Sequence, residues 1–85
     1  MTKGITKSGF KFTLLEEVLD DMELLDLISE VDENPLLLPK LIERLLGEKQ
    51  KKRLYDHCRD DKGRVSSTRI SDELVEIFSK TKVKN

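Results

Sequence analysis

A single cysteine, Cys58, excludes an intrachain disulfide and fits a reducing compartment better than an oxidising one. With one histidine besides, His57, the chain has too few ligands for a structural zinc site, which takes four Cys or His side chains. The two are adjacent, so on a helix their side chains diverge by about 100° and do not form a hydrogen-bonded catalytic pair. An inert core thiol beside an exposed imidazole is the commoner outcome. No run approaches the roughly 20 apolar residues needed to span a bilayer, and the first residues lack the apolar centre of a secretory signal. No glycine-rich phosphate loop is present either: Gly47-Glu48-Lys49 has neither the preceding glycine nor a preceding strand. Asp56, Asp60 and Asp61 lack the glycine and the closing glutamate of a calcium loop, and read as a helix end followed by a solvated turn. These absences point to a cytoplasmic, non-enzymatic protein without cofactor or metal.

What remains is charge and leucine. Charged residues make up 39% of the 85 and hydrophobic ones 36%, yet Leu, Ile, Val and Phe recur at helical spacing, so the chain folds instead of staying disordered. The net charge of -1 conceals a strong asymmetry. Lys3, Lys7 and Lys11 make residues 1–12 basic, whereas residues 13–33 hold carboxylates (Glu16, Glu17, Asp20, Asp21, Glu23, Asp26, Glu30, Asp32, Glu33) and no base. The remainder is basic again.

Residues 1–8 are polar and read as a flexible segment, and Phe10, Phe12 and Leu14 alternate with period two, as in a short strand or extended arm. Thr13 and Glu16 have capping-box spacing, which starts a first helix near Leu14 or Leu15, and Leu15, Val18, Leu19, Met22, Leu25 and either Leu24 or Ile28 form a helical face that continues to Val31. Asn34-Pro35 restarts a helix to Leu46, trimmed to begin near Leu38 if Pro39 holds the first turn open, and Gly47 caps it. A polar third helix covers about 48–59, and Asp60 to Gly63 form a turn. Ser66 or Ser67 caps a fourth helix whose face is Ile70, Leu74, Ile77 and Phe78. The expected fold is all-α, a small bundle of about four helices with an N-terminal extended arm, forming one domain over 9–79 with a flexible tail at 80–85.

A domain this small buries only about 60–65% of the surface its unfolded chain exposes, so leucines beyond the core stripes are exposed or covered by a partner. Asp20, Asp21, Leu24, Leu27, Leu37 and Tyr55 are accordingly the candidate partner-binding residues, for a basic, apolar segment or for self-association with the chain's own basic half. The bland alternative is that the acids are simply the wet side of a helix. Lys49, Lys51, Lys52, Arg53 and Arg59 after a glycine turn resemble a helix-turn-helix in outline. Glu48 and Asp56 on the same helix, and a pI of about 5.8, argue against nucleic acid.

The order of Gly9-Phe10-Lys11-Phe12, Leu19-Asp20-Asp21-Met22-Glu23-Leu24-Leu25, Asp32-Glu33-Asn34-Pro35, Leu38-Pro39, Leu45-Leu46-Gly47, Gln50 to His57 and Gly63-Arg64-Val65 resembles the small tail assembly chaperones of long-tailed phages and prophages of Gram-positive bacteria. The resemblance implies a helical protein that coats the tape-measure protein, keeps it soluble, helps recruit tail-tube subunits and is absent from the finished virion. Members of that family also occur in an extended, frameshifted form. A DNA-binding regulator and a structural head-tail connector are the alternatives.

Overall fold

The computed structural model describes residues 1–81. Two strands, β1 (Thr2–Ile5) and β2 (Lys11–Leu14), form an antiparallel hairpin. The helices α1 (Glu16–Leu19), α2 (Met22–Val31), α3 (Leu38–His57) and α4 (Ser67–Lys80) follow, with a 3-10 turn over Pro35–Leu37 ahead of α3. The chain is thus mostly helical, but with a small sheet that the all-α expectation lacked.

The hairpin corrects the reading of residues 1–8 as flexible. Lys3-Gly4-Ile5 shows no apolar alternation of its own; its order comes from β2, where Phe12 pairs with Gly4 and lays its ring against it. A Cβ on Gly4 would collide with that ring, so the glycine is what lets Phe12 close over the sheet.

The expected single first helix is broken. Asp20 leaves the helical region (φ -98°, ψ 61°), and Asp21 restarts the chain as the N-cap of α2, accepting from the amides of Glu23 at 2.9 Å and Leu24 at 3.4 Å. Thr13, expected in a capping box, lies in β2, and its backbone N–H and C=O are held by the Gln50 side chain, each at 2.7 Å. Pro39 sits in the first turn of α3, where its missing N–H is not needed. Gly47 (φ 80°, ψ 166°) divides α3 into two segments at an angle, a backbone state in which an L side chain is strained. α4 begins as expected, with Ser66 Oγ accepting from the Arg69 amide at 3.2 Å. It runs through Lys80, and Thr81 is buried, donating to the Ile77 carbonyl at 3.1 Å; the rest of the expected tail, 82–85, lies outside the described residues.

One core joins these elements: Phe10, Phe12 and Leu14 from the hairpin, Leu24 from α2, Leu41, Ile42, Leu45, Leu46, Leu54 and Cys58 from α3 and its end, and Ile70, Leu74 and Ile77 from α4. Every buried side-chain polar atom among the described residues has a hydrogen-bond partner. No described helix is long and apolar enough to cross a membrane.

Candidate protein-docking surface

Apolar side chains remain open where the 3-10 turn meets α2 and α4. α2 ends at Val31, and the tight turn over Pro35–Leu37 that follows aims Leu36 outward, 86% exposed, while Leu37 is half-buried. Beside it a groove of about 400 Å³ runs between α2 and α4. Leu41 and Leu74 floor it, Ile28, Val31, Leu38 and Phe78 wall it, and Pro35 and Val75 stand at its rim, Val75 69% exposed. A second cleft of about 270 Å³, on the other side of Pro35 and Leu38, reaches Pro39, Tyr55 and Val65. Leu36 lines this second cleft, and Pro35 and Leu38 stand between the two apolar depressions. Asp32 lines the groove and Glu33 follows it, at the end of a helix that carries no base. The electronegative C-terminus of α2 adds to that field, so the rim favours a cation.

The residues expected from sequence do not converge there. Leu24 is a correction: at 1% exposed it belongs to the core and offers no surface. Asp21 is spent internally, capping α2 and accepting from Arg44 Nε at 2.7 Å, while Arg44 also reaches Glu23 at 3.3 Å. The Arg44 guanidinium, aided by the Glu23 and Leu24 amides, holds the Asp21 carboxyl below its ordinary range. Asp20 is exposed at the break between α1 and α2. Leu27 is half-buried in a separate, polar groove of about 700 Å³ with Asp26, Glu30, Lys40 and Glu43. Leu37 lies in the turn beside the apolar groove, and Tyr55 lines the second cleft, with the Lys51 ammonium 5.7 Å from its ring centre. Sequence reasoning missed Ile28, Val31, Leu36, Val75 and Phe78 as one surface. Val75 carried a signal, since it falls on the polar side of α4's amphipathic pattern.

The cations of 48–59 are largely engaged within the chain. Lys51 is 4.0 Å from Glu43; Arg53 donates to the Lys11 carbonyl at 3.2 Å and lies over the Phe10 ring; Arg59 pairs with Asp56 at 3.2 Å and donates to the Gly63 carbonyl at 2.8 Å. Asp60 accepts from the amides of Arg64 at 3.0 Å and Lys62 at 2.9 Å, which hold its carboxyl below the usual range.

A polar cluster lies where the hairpin turn meets α3 and α4. The buried Glu73 accepts from Thr6 Oγ1 at 2.7 Å and from Ser8 Oγ at 3.0 Å, and Ser8 Oγ lies 2.8 Å from His57 Nε2. Activation of a serine requires histidine between the hydroxyl and the carboxylate. Here the serine is in the middle and the carboxylate binds it directly, which is the geometry of a latch. Burial, and then the nearby Glu73, push the Cys58 thiol up, which favours the un-ionised form near neutral pH. Residues 6, 8, 57 and 73 are too far apart in sequence for any local pattern to reveal this cluster.

Searches of family models, curated proteins and solved structures found no match to this chain.

Proposed function

We propose that this protein is a non-enzymatic protein-binding module whose groove between α2 and α4 receives an amphipathic helical segment with basic flanks. The observation that carries the reading is the open apolar corner around Pro35, where Leu36 and Val75 stand exposed beside a groove floored by core leucines. A helix laid there buries its apolar face against Ile28, Val31 and Phe78, and its Lys or Arg residues meet Asp32 and Glu33. A binder rather than a catalyst fits the only thiol being shut in the core and the only imidazole being tied to Ser8.

The motif order described above makes the partner a phage tape-measure protein, with this chain as its tail assembly chaperone. It would act in the host cytoplasm, help recruit tail-tube subunits and be absent from the finished virion. A tape-measure protein is long, helical and prone to aggregate, so its chaperone needs open apolar surface flanked by charge. Co-expression with a phage tape-measure protein from the genome that encodes this chain tests the assignment. Solubility should be rescued and a complex should appear by size exclusion; no rescue and no complex would overturn it.

A further inference from the structure

The two edges of the hairpin are finished differently. The Thr6 amide donates to the Phe10 carbonyl at 2.9 Å, which makes that a hydrogen-bonded pair. By the alternation of an antiparallel ladder, Gly4/Phe12 and Thr2/Leu14 are hydrogen-bonded too, while Lys3, Ile5, Lys11 and Thr13 turn their backbone groups outward. On the β2 side those groups are taken: Gln50 holds both the N–H and the C=O of Thr13 at 2.7 Å, and Arg53 Nη1 holds the Lys11 carbonyl at 3.2 Å. On the β1 side the outward N–H and C=O groups of Lys3 and Ile5 find no hydrogen-bond partner among the described residues, and the Ile5 side chain is 50% exposed.

We infer that the free edge of β1 is a strand-addition site for an extended acidic segment of a partner protein. The outward groups of Lys3 and Ile5 supply two donors and two acceptors in strand geometry, the backbone half of such recognition. Charge selects the occupant. Residues 1–12 contain Lys3, Lys7 and Lys11 and no carboxylate, and register places Lys11 across from Ile5, on the same face as Lys3. An added strand whose facing side alternates acidic and apolar residues puts a carboxylate beside Lys3, with Lys11 one strand further in, and an apolar side chain beside Ile5. A second copy would instead bring Lys3 of both chains to one seam, and edge lysines of this kind discourage self-pairing. The site is separate from the groove between α2 and α4 and stands whether or not that groove binds a helix.

The test is a titration of the full chain with a labelled synthetic peptide of Glu-Thr-Val-Thr repeats, whose one face carries Glu and Val in turn, beside the same peptide with Lys for Glu, read by fluorescence anisotropy. The acidic peptide should bind saturably and the Lys peptide several-fold more weakly. Ile5→Pro removes an outward N–H that the β1–β2 ladder does not use, so the hairpin should persist by NMR while binding is lost. Should that variant misfold, Lys3→Glu decides: it should reverse the preference between the peptides. Equal affinity for both peptides, undiminished binding by a folded Ile5→Pro chain, an unchanged preference in Lys3→Glu, or dimerisation of the chain through this edge would each overturn the inference.

Discussion

At the hairpin turn and along β2, Glu73 reaches from α4 to hold Thr6 and Ser8, Gln50 clasps Thr13, and the Phe12 ring lies on Gly4, so this side of the hairpin is tied to the helices by polar contacts. At the Pro35 corner, Leu36 and Val75 stand in solvent and a groove lined by half-buried apolar side chains leads down to the buried Leu41 and Leu74. The turn and β2 side of the hairpin are held shut against the helices, and the Pro35 corner is built without a cover. A small domain that can seal one side of its core by polar contacts shows, by contrast, which side has been left for something else to close.

The comparison breaks first if the hairpin is not integral to the fold. Phe12→Ala should cost about 3–5 kcal/mol, the usual range for emptying a buried phenylalanine site, seen as a lower denaturation midpoint together with loss of the Thr2–Leu14 pairing by NMR. Glu73→Ala, which leaves Thr6 and Ser8 without their acceptor, should cost about 1–3 kcal/mol by thermal or chemical melting. Asp21→Ala should lower the melting temperature modestly, with a pH signature. Because Arg44 depresses the folded-state carboxyl, the stability it contributes is fully present above the ordinary value of 3.8 and fades as pH falls through the lower folded value. Melts of the two proteins should therefore differ at neutral pH and converge in acid. At the open corner, Leu36→Ser and Val75→Ser should each change stability by no more than about 0.5 kcal/mol, because neither side chain is in the core. A large loss there would mean that the corner is already closed in the free protein.

Local chemistry made part of this legible. The fourth helix, its Ser66 cap and its Ile70, Leu74 and Ile77 face follow from spacing alone, as do the Asn34-Pro35 restart, the start of α3 near Leu38 and the positive φ at Gly47. Phe10, Phe12 and Leu14 are buried because their period matches the pleat. What stayed hidden depends on partners distant in sequence. β1 is ordered by its pairing with β2, where Phe12 covers Gly4, and Asp21, whose capping of α2 is local, is held in addition by Arg44 from α3. Surplus leucines pointed to Leu24, which is turned inward, and the groove that Ile28, Val31, Val75 and Phe78 line spans two elements that no single periodic pattern connects.

The most direct test of the docking corner is an NMR titration with an amphipathic helical peptide flanked by lysines, beside the same peptide flanked by glutamates. The lysine peptide should shift the side-chain signals of Ile28, Val31, Leu36, Val75 and Phe78, and the glutamate peptide should do so far less. Shifts confined to residues 48–59, or none at all at millimolar peptide, would contradict the account.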